Sequence, residues 1–302
     1  MKITIAGGTG FVGKALMSQL VKNNHEVIIL TRGLKDKNTT DRIQYVQWLT
    51  EHTSTWHELE GTDIFINLAG ESINGGRWTE QRKEKIVTSR LESVNALINI
   101  ISKLKTKPKA LINASAIGIY GTSLEKVFTE KENHGFGNDF LSKTVQQWED
   151  EASKAPHLGI RTVFCRFGII LDPHEGALPK IAFPYKSFIG GPIGDGRQWM
   201  SWIHIEDVVK GISFIIEKDQ INGPINFTAP NPVTMSEFGE TLSIVLHRPH
   251  WLPVPRFALR LLLGEMSTLV VDGQMVLPKK LLENGYQFQY ADLNLALKNI
   301  FS

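Results

Sequence analysis

Three glycines at a fixed spacing are the first residues of this chain that could do chemistry. Gly7, Gly10 and Gly13, in GGTGFVG, follow a short apolar run and precede an amphipathic stretch. Glycine permits a tight turn, lets the backbone approach a pyrophosphate, and allows a helix to pack closely on a strand. The positive amino end of that helix would then face the phosphates. The pattern predicts dinucleotide binding, with an ordinary glycine-rich turn as the alternative.

The end of the second apolar run indicates which dinucleotide is bound. It reads Leu30-Thr31-Arg32, and no acidic residue follows until Asp36. NAD sites usually carry an acidic residue here, hydrogen-bonded to the ribose 2′-hydroxyl. A guanidinium instead pairs with a 2′-phosphate, which a carboxylate would repel. Arg32 therefore favours NADP(H), with a plain surface cation as the alternative.

Alternating strands and helices must position these residues. Short β-branched apolar runs predict six strands, and amphipathic stretches between them predict three helices. The strands are Lys2–Ala6, Val27–Leu30, Tyr45–Trp48, Ile64–Leu68, Ala110–Ala114 and Arg161–Phe164, and the helices are Phe11–Lys22, Thr79–Ile101 and Leu141–Lys154. This order is typical of βαβ crossovers and predicts an α/β fold built on a doubly wound parallel Rossmann sheet.

The pattern changes after about Leu171, where prolines and glycines become frequent. We expect residues 1–172 to form the nucleotide-binding core. Residues 202–228 are expected to return to it, as a helix with a strand-like lead-in followed by a late strand. Residues 173–201 and 229–302 would form a smaller, mainly helical C-terminal substrate lobe.

Composition narrows the classes of function. The 302 residues include 33 basic and 31 acidic side chains, so the chain is nearly neutral, and its one dense basic cluster, at 103–109, lacks the interleaved aromatics of a nucleic-acid surface. A single cysteine cannot form an intramolecular disulfide framework or a multi-cysteine zinc site. No secretory signal or run of 18 apolar residues is visible. We expect a cytoplasmic protein without nucleic-acid, membrane or metal partners.

Four motifs carry a resemblance to a known superfamily. GGTGFVG, NLAG at 67–70, ASAIGIYG at 114–121 and WIHIEDVV at 202–209 resemble the extended short-chain dehydrogenase/reductases, the nucleotide-sugar epimerase superfamily. More narrowly, NLAGESINGGRWTEQRKEKIVTSR, GGPIGDGRQWMSWIHIEDV, NFTAPNPVTMSEF and GQMVLPKKLLENGYQF resemble a subgroup called epimerase family proteins, which carries a C-terminal domain of unknown function. The resemblance covers essentially the whole chain. It implies NADP(H) binding to a Rossmann core but identifies no substrate.

The resemblance also implies which residues contact the cofactor. The turn after the fourth strand would lie beside the ribose, Arg90 would reach back from its helix, and the ends of the fifth and sixth strands would pass the nicotinamide. The turn could be only a turn, and Arg90 only a surface cation. The expected contacts are Gly7, Thr9, Gly10, Phe11, Val12, Gly13, Thr31, Arg32, Leu68, Ala69, Gly70, Glu71, Arg90, Ala114, Ser115, Lys143, Arg166 and Ile170.

The catalytic motif of the superfamily is broken in this chain. Its dehydrogenases use Tyr-x-x-x-Lys on a helix, where one turn puts both side chains on one face and the ammonium lowers the pKa of the phenol. No tyrosine here has a lysine four residues later. In DFLSK, Lys143 holds the lysine-like position and Asp139 the tyrosine-like one. Asp139 would be a general base only if burial raised its pKa, and a helix N-cap is the alternative.

A serine at the end of the fifth strand normally holds the substrate oxygen in this superfamily. Ser115 is the candidate here, although alignment on Tyr120-Gly121 puts Ala116 at that position instead. Tyr120 itself belongs to a turn that is commonly structural. His204 is expected to hold a helix start together with Asp207 and not to transfer protons.

The substrate cleft is expected to be lined by Arg197, Trp199 and Trp202, because an aromatic surface and a guanidinium suit a ring or an anionic group. Two functions remain open. One is an NADP(H)-dependent oxidoreductase or epimerase acting on a small polar substrate such as a nucleotide sugar, with a nonstandard acid or base. The other is a non-catalytic NADP(H)-binding sensor or interaction scaffold. A homodimer through the helices at 79–101 and 141–154 is expected by analogy.

Overall fold

The computed structural model describes residues 1–35, 39–50, 55–132 and 137–302, so Asp36 lies outside the described residues. These residues form thirteen strands: β1 Lys2–Ala6, β2 Glu26–Thr31, β3 Ile43–Gln47, β4 Ile64–Asn67, β5 Ala110–Ala116, β6 Val127–Phe128, β7 Arg161–Phe167, β8 Ile169–Leu171, β9 Trp199–Met200, β10 Trp202–His204, β11 Gly223–Phe227, β12 Val233–Thr234 and β13 Met275–Val276. They also form ten α-helices: α1 Phe11–Lys22, α2 Glu80–Lys103, α3 Phe140–Ala152, α4 Leu178–Lys186, α5 Ile205–Glu217, α6 Met235–Leu246, α7 Arg256–Leu263, α8 Thr268–Val271, α9 Lys279–Glu283 and α10 Leu293–Phe301. None of these helices is long and apolar enough to cross a bilayer.

Seven parallel strands form the central sheet in the order β11-β7-β5-β4-β1-β2-β3. The chain moves outward from β1 in one direction and then restarts at β4 in the other, so the strand order reverses between β1 and β4. Ligands of such sheets bind at this reversal, outside the carboxyl ends of the strands. The predicted doubly wound fold is confirmed. All six predicted strands and three predicted helices are present; the bounds of β1 and α1 are as predicted, and the others are shifted by at most three residues.

Helices cover both faces of the sheet, so its central strands are buried on both faces. Ile5 of β1 lies in one apolar cluster with Leu16 of α1 and Ile212 of α5. On the opposite face, Phe65 of β4 clusters with Leu97 of α2. Nearly continuous β-branched and apolar runs are what such a sheet requires, which is why sequence pattern located the strands well.

A second apolar core holds the C-terminal part of the chain. Leu178 of α4, Phe238 of α6 and Leu297 of α10 cluster there with Trp202 of β10. Thr234 begins α6 with a capping box, in which its hydroxyl and the Glu237 carboxylate satisfy backbone amides reciprocally. The mainly helical C-terminal lobe is therefore confirmed. The stretch after Leu171, where prolines and glycines become frequent, contributes α4 to this core.

Asp207 joins this lobe to the Rossmann core. The residue is buried in the first turn of α5. Its carboxylate accepts hydrogen bonds from the backbone N–H groups of Gln289 and Tyr290, both at 2.8 Å, and from the Tyr286 hydroxyl at 3.1 Å. These three hydrogen bonds to one buried carboxylate fix the path of residues 286–290, which lead into α10.

We expect Asp207→Ala to lower the free energy of unfolding by about 3 kcal/mol, because it leaves buried donors without an acceptor. The measurement is urea unfolding followed by circular dichroism. Glu206→Ala is the matched control, since that carboxylate is 45 % exposed and its ion pair with Lys210 is long, at 3.6 Å. The control should change stability by less than about 0.5 kcal/mol. Equal effects of the two variants would contradict the role of Asp207.

Candidate functional site

The backbone of the glycine turn packs tightly against the start of α1 and against the residues that follow β4. Gly7 has φ +80°, and a Cβ on it would lie 2.6 Å from the carbonyl carbon of Leu68. A Cβ on Gly13 would lie 2.2 Å from the Gly7 carbonyl oxygen. No side chain caps α1 at Gly10, and its first turn carries no acidic residue. The amino end of α1 thus offers its amides to an anion.

Arg32 follows β2 beside this turn. Ala6 pairs with Leu30 in the parallel register, so the residues just after each strand are neighbours. The Arg32 side chain is exposed, and it has no ion-pair partner in the described part of the chain. Its backbone carbonyl accepts a 3.1 Å hydrogen bond from the Gln47 side chain, which holds the segment in place.

Buried amides set the turn after β4. Asn67 and Asn113, both fully buried, bond to each other at 2.8 Å, and the Asn67 side-chain oxygen accepts the Ala69 N–H at 3.2 Å. Arg90 donates to the Glu71 carbonyl at 3.0 Å, and its guanidinium lies 5.0 Å from the Trp148 ring. Burial lowers the pKa of Arg90 to about 10. Arg90 therefore braces this turn, whatever further contact it makes with a cofactor.

The segment after β8 packs against the first turn of α1, beside the glycine turn. A Cβ on Gly176 would lie 3.2 Å from the Phe11 ring and 3.3 Å from the Ile170 carbonyl oxygen. Lys14 and Glu175 form an ion pair at 3.2 Å across the same junction. Thr9 is exposed and Val12 is half-buried. The glycine turn and the segment after β8 are therefore neighbours, and the expected dinucleotide site between them is called the crevice below.

A cavity of about 470 Å³ opens at the carboxyl ends of β5 and β7. Its floor comes from the sheet and α3, and its opposite wall comes from the segment before α2 and from residues 265–274. Most of its lining is apolar, and its described charged residues are Lys83, Asp139, Glu265 and Asp272. The apolar side chains are Ile73, Trp78, Ala116, Ile117, Phe140, Leu141, Val145, Phe167, Ile169, Trp199 and Leu269.

The face of α3 that meets this cavity carries Leu141 and Val145, one helical turn apart. Lys143 is exposed and does not line the cavity. The prediction that Lys143 holds the lysine-like position is therefore wrong by register. The i, i+4 pair facing the cavity is two apolar residues, and the Leu141 Cβ lies 3.5 Å from the position of a Cβ on Gly118.

The two other predicted catalytic residues also have structural roles. The Asp139 carboxylate accepts the Ser142 N–H at 2.8 Å and caps α3, as the alternative interpretation held, and its side chain is exposed at the cavity rim. The burial that a general base would need is lacking. Ser115 is buried and donates to Glu149, whereas Ala116 lines the cavity. Of the two residues considered for the serine-like position, Ala116 therefore faces the cavity and Ser115 does not.

Arg166 forms a buried ion pair and is not available to a nicotinamide ring. It is 2 % exposed and bonds to both carboxylate oxygens of Glu149 at 2.8 Å. It also donates to the Tyr120 hydroxyl at 2.8 Å, and that hydroxyl donates to Asn226. Burial raises the pKa of Tyr120 to about 12. The prediction for Arg166 is corrected, because every guanidinium contact made by the residue serves β5, β7 and α3. Tyr120 is structural, as expected.

The predicted cleft residues separate in space. Trp199 lines the cavity and donates its indole N–H to the Leu124 carbonyl at 2.9 Å. Trp202 is fully buried in the C-terminal core, so its prediction as a cleft residue is wrong. Arg197 is also misassigned, because its side chain is 74 % exposed and pairs with Asp195 away from the cavity. His204 caps α5 by accepting the Glu206 N–H at 3.1 Å.

Comparison with known proteins identifies the family of this chain. Residues 3–227 match the NAD dependent epimerase/dehydratase family, and residues 254–300 match a domain of unknown function. The chain belongs to the epimerase/dehydratase family. This family is NAD(P)-dependent, and the pairing of its core with that second domain is the subgroup indicated by the sequence motifs.

Relatives of this epimerase-family chain extend over its full length. It is 50% identical over 305 residues to the epimerase family protein YfhF of Bacillus subtilis, covering 100% of this chain and 98% of the relative. The human epimerase family protein SDR39U1, solved with NADPH, is 32% identical with a TM-score of 0.89, covering 100% and 99% of the two chains. UDP-glucuronic acid 4-epimerase of Bacillus cereus, solved with UDP-glucuronic acid and NAD, shares the fold at 18% identity and a TM-score of 0.80, over 100% and 98% of the chains.

The residues that join the C-terminal segment to the rest of the cavity were not predicted from the sequence of this epimerase-family chain. Lys83 bridges Glu80 and Glu265, and Arg77 donates to the carbonyls of Leu261 and Leu262. The contacts with Glu265, Leu261 and Leu262 join residues roughly 180 positions apart, so no local spacing could have revealed them. The observed burial of Trp148 and Glu149 places Val145 and Leu141 on the inward face of α3 by helical periodicity.

We expect Gly13→Ala to weaken nicotinamide dinucleotide binding by at least about tenfold, since the methyl group meets backbone atoms that cannot move aside cheaply. Calorimetric titration with NADPH measures the change. Gly33→Ala is the matched control, because a Cβ there meets nothing within 4 Å. Unchanged affinity in the Gly13 variant would show that the crevice is not the dinucleotide site.

Proposed function

We propose that this protein binds NADP(H) in the crevice at the β1–β4 reversal and catalyses hydride transfer to a substrate in the adjoining cavity. The observation that carries this proposal is the position of the 470 Å³ cavity, which opens beside the crevice at the carboxyl end of the same sheet. A bound nicotinamide dinucleotide supplies or accepts a hydride there. A protein that only binds a dinucleotide needs no such cavity.

The residues of the crevice fit a dinucleotide. Glycines at 7 and 13 leave space that a Cβ would fill, and the uncapped amino end of α1 suits a pyrophosphate. The exposed Arg32 guanidinium suits a 2′-phosphate, and no acidic side chain in the described segment Thr31–Lys35 would repel one. The NADPH in the human relative supports the same choice.

The chain's own residues would bind the substrate and exclude water. Trp78 and Trp199 both bring aromatic surface to the cavity, and the Lys83–Glu265 ion pair joins α2 to the C-terminal segment that lines it. This enclosure favours hydride chemistry, since a dry site limits side reactions.

A non-catalytic NADP(H) sensor is the second candidate. It is favoured by one observation: the residues that face the cavity from the end of β5 and from one side of α3 are Ala116, Leu141 and Val145, and none of them carries a proton donor. The two candidates share the cofactor site and differ in whether the cavity admits a substrate that is turned over.

We expect Arg32→Ala to weaken NADPH binding by about 10- to 100-fold, the value of a charge-assisted hydrogen bond to the 2′-phosphate. Affinity for NADH should hardly change, because NADH lacks that phosphate. Calorimetric titration of both coenzymes gives the ratio.

Arg42→Ala is the matched control for this variant. It removes the same charge at the opposite, amino end of β3, where Arg42 donates to the Asn24 carbonyl. Equal losses for NADPH and NADH in the Arg32 variant, or equal losses in both variants, would contradict the assignment.

A further inference from the structure

We propose that the cavity takes a planar, conjugated carbonyl compound, a cyclic enone or a quinone, and not a sugar nucleotide. The inference deepens the proposed function and rests on it. It depends on three properties of the lining: carbon surface, negative charge and the absence of a proton donor at the usual positions.

The cavity presents mostly carbon to its ligand because most of its uncharged polar side chains are already hydrogen-bonded within the protein. Trp78 donates its indole N–H to the Ile73 carbonyl at 3.0 Å, and Trp199 donates to Leu124. The Ser201 hydroxyl and the Gln274 amide are likewise bonded to backbone carbonyls. Flat indole and phenyl rings facing a ligand favour a flat, apolar partner.

The charge of the lining opposes a diphosphate. Among the described lining residues, Lys83 is the cation, and it is paired with Glu80 and Glu265. Asp139, Glu265 and Asp272 contribute three carboxylates. A diphosphate would meet net negative charge in a partly dry site and would lose its hydration without a free cation to replace it. The expected polar substrate, a nucleotide sugar, therefore does not fit.

The missing proton donor selects conjugated acceptors. Reduction of an isolated ketone produces an alkoxide, a strong base that needs a general acid, and Ala116, Leu141 and Val145 cannot supply one. In an enone, the hydride forms a bond to the β-carbon, the C=C π bond breaks, and its electrons form an enolate. The enolate takes a proton from water at the α-carbon. A quinone likewise accepts one hydride and one proton and becomes a hydroquinone. In both reactions the reduced dinucleotide that gives the hydride is oxidised.

Binding provides the first test and does not depend on turnover. Protein saturated with NADP⁺ is titrated with 1,4-naphthoquinone and, separately, with UDP-glucose, by calorimetry. We expect naphthoquinone to bind, and Ala116→Leu to weaken that binding at least about tenfold, a larger loss than the same variant shows for NADP⁺. The only cysteine, Cys165, is buried, so a thiol adduct does not compete. Binding of UDP-glucose without naphthoquinone would overturn the proposal.

Turnover provides the second test, with substrates matched in size. With NADPH, we expect 2-cyclohexenone to be reduced at least about 100-fold faster than cyclohexanone, the usual contribution of general acid catalysis. The Leu141→Tyr/Ala116→Ser double variant should gain cyclohexanone reduction, because it restores a donor. Equal rates for both substrates in the unmodified protein would overturn the proposal.

Two further outcomes locate a failure. Asp272 lines the cavity without a side-chain partner among the described residues. If Asp272→Asn abolishes enone reduction and removes an acidic limb from the pH profile, the proton comes from Asp272 and the water-protonation step is wrong. If NADPH does not bind at all, the proposed function fails. If NADPH binds but naphthoquinone neither binds nor is reduced, only the substrate class fails.

Discussion

Arg166 and Glu149 form the buried ion pair on which the arrangement of the catalytic end depends. The pair joins β7 to α3 with two 2.8 Å bonds, and it adds Ser115 of β5 and the Tyr120 hydroxyl as further partners. Removing either charge would leave the other buried and uncompensated, a cost of about 3–5 kcal/mol. Because the pair fixes the rotation of α3, it decides that Leu141 and Val145 meet the cavity while Lys143 points to solvent. It also turns the Ser115 hydroxyl away from any substrate.

The molecule combines a retained cofactor half with an altered substrate half. Gly7, Gly13 and the Leu68 backbone pack so closely that a single added carbon would collide, which is the geometry needed for a pyrophosphate to approach. The cavity opens at the carboxyl end of the same sheet, and the residues of α3 that line it beyond the cap, Phe140, Leu141 and Val145, are apolar. The fold therefore supports dinucleotide chemistry in general, whereas the lining restricts which acceptors can react.

Much of the fold was predictable from sequence because local patterns determined it. Strands buried on both faces read as continuous apolar runs, and the glycine turn follows the first of them directly. The position of Arg32, directly after β2, was predictable in the same way, whereas its contact with a 2′-phosphate stays a prediction. The catalytic end was not predictable, since its errors are errors of register. Lys143 lies two residues from the inward-facing position, and Ser115 lies one residue from Ala116, so each side chain points to the opposite side of its element. Trp202 and Arg197 were misassigned because residue type does not indicate burial or the partner at Asp195.

A crystal structure of the protein with NADP⁺ tests the central claim most directly. We predict the pyrophosphate at the amino end of α1, the 2′-phosphate on the Arg32 guanidinium, and the nicotinamide opening on the cavity between Ala116 and the Leu141–Val145 face of α3. A nicotinamide ribose held by Lys143, or a dinucleotide bound away from the glycine turn, would contradict the account.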